Sequence, residues 1–238
     1  MNPTEHHTSK QFDVELETIR SRVLQMGGMV EQQIVNALEG LAEGDMMLCD
    51  RVIAEDHRVN GLEVAIDEEC GTVIARRQPA AGDLRMLIMV IKTITDLERI
   101  GDEAEKIARM AKLIHQSGRI NLPRFHEINH MAEVTLGMLR RSLDAFARLD
   151  MTAAADVVRQ DRQVDEEFRS VLRQLITFMM EDPRTISTAL EILFVAKAIE
   201  RIGDHSKNMS EYVVYMVKGK DVRHVTMEEF ERETQGQG

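Results

Sequence analysis

The feature that most constrains this chain is an acidic pentapeptide, ERIGD, which occurs at residues 98–102 and again at residues 200–204. Both copies lie late in long helical patterns. On a helix, a spacing of four places Glu98 beside Asp102 and Glu200 beside Asp204 on one face. Such a segment does not recur by chance, so the sequence predicts two similar halves.

Each pair of carboxylates is predicted to interrupt an apolar stripe rather than to lie on an outer face. Glu98 continues the helical line of Leu84, Leu87, Ile91 and Ile94, and Glu200 continues the line of Ile186, Ala189, Leu193 and Ala196. A buried unpaired ion costs several kcal/mol, so a positive partner is expected nearby. Arg99, Arg201 or Lys106 could supply only ordinary surface ion pairs, which contribute little. The repetition favours a bound cation instead.

Apolar periodicity predicts an all-α chain of six long helices, arranged as two homologous antiparallel three-helix bundles. The predicted helices cover residues 12–42, 46–76, 84–116, 124–148, 152–180 and 185–218. Predicted caps and breaks are Gly44-Asp45, Asp83, Asp150 and Asp182-Pro183. The expected domains are residues 1–117 and 118–218, with a linker at 117–123, followed by a mobile polar tail at 219–238.

The two halves align residue by residue. The offset is 105 in the first two helices of each half and 102 in the third, and the difference falls in the loop before that helix. Length changes confined to loops are expected of a structural duplication. The alignment adds Asp56 to the first half and Asp161 and Asp165 to the second.

Carboxylate oxygens without histidine or cysteine are hard ligands, which suit Mg²⁺, Mn²⁺, Ca²⁺ or iron better than structural zinc. The mid-helix residues Gly101 and Gly203 suggest that another backbone comes close at each motif. His205 follows Asp204 directly and is expected to face solvent or to lie behind the ligands.

Composition excludes several classes of function. The net charge of −11 opposes binding to nucleic acid and spontaneous adsorption to an anionic membrane. The longest central apolar run, residues 86–91, is too short to span a bilayer, so a cytoplasmic location is expected. Cys49 and Cys70 are separated by about 30 Å along one predicted helix, which excludes a disulfide between them. Both are expected to be reduced and buried.

With these motifs in view, nearly the whole chain resembles the PhoU family of bacterial phosphate-transport regulators. The resemblance rests on the paired ERIGD segments and on four further motifs: RRQP at 76–79 with DLR at 83–85, MMED at 179–182, VKG at 217–219 and RHV at 223–225. It implies metal clusters (Mg, Mn or Fe) on the acidic motifs, with these candidate ligands: Glu98, Asp102, Glu200, Asp204, Asp56, Asp161 and Asp165. Asn60 stands where the second half has Asp165, so weaker metal binding is expected in the first half.

The resemblance also implies a function. Family members act as negative regulators of the phosphate-starvation response, linking the ATP-binding subunit of the phosphate ABC transporter to a membrane sensor histidine kinase. The chain would reach the inner membrane only through these partners, and a homodimer is expected. No catalytic pattern is evident, which favours a regulatory adaptor over an enzyme.

Two alternatives remain open at this point. A ferritin-like di-metal oxidoreductase would need two Glu-x-x-His motifs and two further glutamates in one four-helix core. Only Glu127 and His130 fit such a motif, without a counterpart in the other half. A helical spacer with solvated acidic faces is the second alternative.

Overall fold

The computed structural model describes residues 10–116, 126–223 and 225–234, and helices account for nearly all of them. In chain order these are α1 (Lys10–Glu43), α2 (Met46–Arg77), α3 (Ala81–Gln116), α4 (His126–Arg148), α5 (Met151–Glu181), α6 (Ile186–Lys218) and α7 (Met227–Thr234), with a 3-10 turn at Pro183–Thr185. The all-α prediction is confirmed, although the count of six helices omits α7.

Side-chain caps fix where several helices begin. Asp45 Oδ1 accepts a hydrogen bond from the backbone N–H of Leu48 at 3.0 Å, and Asp150 caps α5 in the same way. These two caps were predicted correctly. The cap predicted at Asp83 is wrong, because α3 already begins at Ala81 and Asp83 lies within its first turn.

Helices α1–α3 form one three-helix unit and α4–α6 form the second, and a single apolar core runs through both. The units meet where α3 packs antiparallel against α6 and α1 packs against α4. Gly27 permits the α1–α4 approach, because a side chain there would begin 2.5 Å from Leu143 Cδ2. The core therefore joins the two repeats.

The segment after α6 differs from the mobile tail that the sequence predicted. Val222 and Phe230 are each only 2% exposed, and α7 packs against α5, where Arg159 and Glu231 form an ion pair at 3.3 Å. Helix propensity alone does not predict that this segment packs on the bundle, because the packing depends on burial of Val222 and Phe230.

Both cysteines are free and buried, as predicted. The predicted linker at 117–123, residues 1–9 and residues 235–238 lie outside the described residues. Within the described part of the chain, no helix is long and apolar enough to cross a membrane.

Candidate functional site: two acidic clusters

The first cluster consists of Asp56 on α2 and of Glu98 and Asp102 on α3. Asp56 is 8% exposed, and its carboxylate accepts hydrogen bonds from Gln33 Nε2 at 3.5 Å and from Asn60 Nδ2 at 3.1 Å. Glu98 is half-buried and Asp102 is exposed. The prediction that these carboxylates do not lie on an outer face is therefore wrong for Asp102, because the cluster lies at the edge of the apolar stripe.

Partial burial, followed by repulsion from neighbouring carboxylates, raises the pKa of each member of the first cluster. For Glu98 and Asp102 burial is the main cause, followed by neighbouring carboxylates, among them Asp56. The pKa of Asp56 is raised by burial and by Glu105. Arg99 opposes the shifts of Glu98 and Asp102, and the described residues include no lysine or arginine ion-paired with this cluster. Its negative charge is thus largely uncompensated.

The second cluster consists of Asp161 and Asp165 on α5 and of Glu200 and Asp204 on α6. Burial and the other three carboxylates raise the pKa of Asp204 to about 6. The other three acidic groups predicted for this half therefore lie close enough to act on Asp204, as the alignment of the halves suggested.

Two lysines distinguish the second cluster from the first. Lys207 Nζ donates a hydrogen bond to Asp161 Oδ2 at 2.7 Å, and Asp161 is only 5% exposed. Lys197 Nζ donates to both oxygens of Glu200, at 2.6 and 2.5 Å. The positive partners of this cluster are therefore Lys197 and Lys207, rather than the arginine that the sequence suggested.

The arginine and lysine of the expected surface pairs have other partners. Arg201 Nη1 lies 2.8 Å from Glu103 Oε1, which belongs to the other repeat, and Lys106 pairs with the same glutamate at 3.2 Å. Sequence spacing cannot reveal the contact with Arg201 on another helix, so the role of Glu103 was missed. Glu103 is buried, and its contact with Arg201 joins the second ERIGD segment to the residue that directly follows the first.

His205 is a second link between the repeats, and the expectation that it faces solvent is wrong. It is 7% exposed, and its Nδ1 lies 2.7 Å from Asp96 Oδ1, which also accepts from Asn208. His205 points away from the second cluster. Because α3 covers this face of α6, its side chain lies in the interface between the repeats.

The glycines of the two motifs accommodate side chains rather than a backbone. A Cβ at Gly101 would lie 3.2 Å from Gln33 Oε1 and 3.4 Å from Asp56 Oδ1. A Cβ at Gly203 would lie 3.7 Å from Met138 and Val164 methyl groups, an ordinary distance. Gly101 therefore leaves a small space bordered by two oxygen atoms and by a methyl group of Val59.

The donor set of the first cluster fits a hard cation. The described residues contain no ready-made group of three carboxylate, imidazole or thiol ligands. However, Gln33 is 6% exposed, and its Oε1 has no hydrogen-bond donor among the described residues. Mg²⁺-like ions commonly use one or two carboxylates and complete their shell with water. Carboxylates and a buried amide oxygen meet that requirement.

The motif that favoured an oxidoreductase does not lie inside a four-helix core. His130 is exposed near the start of α4, and its Nδ1 lies 2.8 Å from Glu167. Glu127 accepts a hydrogen bond from Gln174 at 2.8 Å. Neither side chain is directed toward a second Glu-x-x-His pair.

Comparison with known proteins supplies the decisive observation. The family model described as the PhoU domain matches the chain twice, at residues 23–111 and 128–213, so that one match falls on each three-helix unit. The chain belongs to the PhoU family. This membership agrees with the resemblance carried by the ERIGD motifs, and both copies of that motif fall within the matched residues.

Relatives match over almost their full length. The chain is 47% identical over 232 residues to the phosphate-specific transport system accessory protein PhoU homolog of Pseudomonas putida, covering 97% of this chain and 90% of the relative. The crystal structure of PhoU from Pseudomonas aeruginosa matches with a TM-score of 0.85 and 45% identity, covering 88% of this chain and all of the other. The phosphate transport system regulatory protein PhoU from Streptococcus pneumoniae matches with a TM-score of 0.82 at 28% identity, covering 89% and 99%.

Proposed function

We propose that this PhoU-family protein is a regulatory adaptor that represses the phosphate-starvation response and modulates phosphate uptake. The adaptor couples the ATP-binding subunit of a phosphate ABC transporter to a sensor histidine kinase. The observation that carries this proposal is the near full-length match to relatives named phosphate-specific transport system accessory proteins. Those names describe an accessory component rather than an enzyme.

Cation binding at the acidic clusters is part of the proposal. Divalent cations (Mg²⁺, Mn²⁺ or ferrous iron) bind the exposed and half-buried carboxylates, which changes the charge of the surface offered to partners. Asp56, Glu98 and Asp102 would hold the ion in the first repeat. The support is the uncompensated charge of this cluster and the space beside Gly101.

The proposed protein acts in the cytoplasm as a homodimer and meets the membrane only through its partners. The acidity of the chain supports the indirect contact with the membrane, since a net charge of −11 opposes direct binding to anionic lipid. Light scattering of the purified chain measures the oligomeric state, and a monomer at micromolar concentration would contradict the dimer.

Deletion of the gene tests the regulatory role. We expect starvation genes to be expressed constitutively in phosphate-rich medium, and we expect the wild-type chain to restore repression. Normal repression in the deletion strain would rule out the role.

A pull-down tests the coupling. The purified chain is presented to the cytoplasmic portion of the kinase and to the transporter ATPase, with Mn²⁺ or with chelator. Binding of both partners is expected, together with loss of binding in the Glu98→Ala/Asp102→Ala protein. Binding that survives both the chelator and the substitutions would remove the cation from the mechanism and leave the adaptor role intact.

A further inference from the structure

The two clusters lie at equivalent positions of the duplicated fold, but the side chains around them differ. Offsets of 105 and 102 define the equivalent pairs, which are Gln33 with Met138, Asn60 with Asp165, Glu63 with Phe168, Thr95 with Lys197, and Glu105 with Lys207. Backbone geometry is shared, so these substitutions decide what each site can bind.

Around the first cluster, two amide oxygens are buried without a hydrogen-bond donor among the described residues. They are Gln33 Oε1 and Asn60 Oδ1, and the NH₂ group of each amide is directed to Asp56. Leaving a buried carbonyl without a hydrogen-bond donor is costly. Gln33 Oε1 and Asp56 Oδ1 border the space that a Cβ at Gly101 would fill. Among the described residues, no lysine or arginine is ion-paired with Asp56, Glu98 or Asp102.

In the second repeat, ammonium groups already supply positive charge. Lys207 binds the buried Asp161, and Lys197 binds Glu200 while lying 5.3 Å from the ring centre of Phe168. The ring face attracts a cation and helps to hold Lys197 in place. The space beside Gly203 is bordered by the methyl groups of Met138 and Val164 instead of oxygen atoms.

The differences occur as matched sets. In the first repeat Thr95 Oγ1 donates to Glu63 at 3.3 Å, whereas in the second the same two positions hold the Lys197–Phe168 contact. Glu105 pairs with Arg109 and adds no positive charge to the first cluster, while its counterpart Lys207 pairs with Asp161. Each lysine of the second repeat therefore has a partner suited to keep it there.

We propose that only the first cluster is a divalent-cation site, in which Gln33 adds an amide oxygen to Asp56, Glu98 and Asp102, and that Lys197 and Lys207 replace the cation in the second. The proposal rests on the cation binding proposed above and narrows it to one repeat. It reverses the expectation of weaker metal binding in the first half, because the second site already carries the ammonium groups of Lys197 and Lys207.

Counting Mn²⁺ ions on the full-length chain tests this directly. The chelator-treated protein is titrated with Mn²⁺ at 0.15 M salt, and free Mn²⁺ is followed by its electron paramagnetic resonance signal. One tightly bound ion per chain is expected, and Asp56→Asn should abolish its binding while Asp161→Asn leaves the stoichiometry at one. Two equivalent ions, or loss only in Asp161→Asn, would overturn the inference but not the proposed cation binding. No bound ion would overturn both.

Exchanging residues between the repeats gives matched variants. Gln33→Met, which installs the residue of the second repeat, should weaken Mn²⁺ binding by about tenfold, in the range measured for groups that support metal ligands. Met138→Gln should leave the affinity unchanged. Lys197→Thr combined with Lys207→Glu should create a second binding event. Unchanged affinity in Gln33→Met, with native circular dichroism, would overturn the role of the amide, and an unaltered stoichiometry in the lysine variant would overturn the role of the lysines.

Discussion

The two acidic clusters occupy the same place in two copies of one fold, yet one has its counter-ions built in and the other does not. Asp161 is buried against Lys207, whereas Asp56 is buried beside two amides. The apolar stripes that build each bundle determine the shape of the site. The polar side chains around it are free to change as long as charge is balanced, so a repeated motif does not ensure a repeated function.

The largest expected effect comes from removing the lysine of the buried ion pair. Lys207→Met leaves Asp161 without its partner, so the free energy of unfolding in chelator should fall by about 2 kcal/mol, less than for a fully buried pair because the lysine is partly exposed. Urea denaturation measures this. Glu105→Met at the equivalent position should cost about 0.5 kcal/mol or less. Equal losses at the two positions would mean that the clusters do not differ in charge balance.

A smaller effect is expected from pH. The pKa of Asp204 is raised to about 6, so the folded chain holds a proton between pH 4 and 6 that the unfolded chain has released. Stability should therefore fall as pH rises through this window, by about 1 kcal/mol once solvent screening is allowed for. Asp204→Asn should remove this decline. Glu211, whose pKa burial raises to about 7, should leave a residual decline at higher pH.

The matched control for pH is Asp102→Asn in the first repeat. Its pKa is also raised by burial and by Asp56, but the side chain is exposed, so the change in slope should be smaller. Thermal unfolding at half-unit steps of pH, with chelator present, compares the two variants. A larger change in the pH dependence of stability for Asp102→Asn than for Asp204→Asn would contradict the conclusion that Asp204 is the more strongly buried of the two.

The smallest effect concerns the two motif glycines. Gly203→Ala should stabilise the chain by about 0.5–1 kcal/mol, because alanine favours the helix and its Cβ meets only ordinary contacts. Gly101→Ala should bring no gain, since its Cβ would press on Gln33 Oε1 at 3.2 Å. Urea denaturation of both variants provides the test. An equal gain in stability for Gly101→Ala would show that Gln33 does not occupy the position beside Asp56.

The sequence predicts the helices well because each signal is local. Apolar periodicity and the caps Asp45 and Asp150 give the boundaries of α2 and α5 to within a residue. The start of α3 was placed late, since Asp83 resembles an N-cap but the preceding residues continue the helix. Helix α7 was missed because its burial depends on contacts with α5, which are distant in sequence.

The site was predictable only in part, for the same physical reason. The ERIGD repeat and the register identify seven carboxylates that form one cluster in each half. Lys197 could have been recognised from its spacing of three before Glu200. Lys207 and Gln33 could not have been recognised from spacing, because each contacts a carboxylate on a different helix. Comparing positions 95 and 105 with positions 197 and 207 would have shown the change of charge.

The antiparallel packing of α3 on α6 also bears on how such a chain can arise. A chain with a single repeat would have to make this contact with a second copy of itself, and twofold symmetry would then duplicate every pair across it. The Asp96–His205 contact is not duplicated in this way. At the offset of 102, Asp96 corresponds to Ala198 and His205 corresponds to Glu103, so the second copy of the pair is absent. Fusion of the two copies releases the interface from symmetry. A chain with two fused repeats can therefore hold a single buried acid–imidazole pair at this interface, whereas a symmetric homodimer would have to hold two.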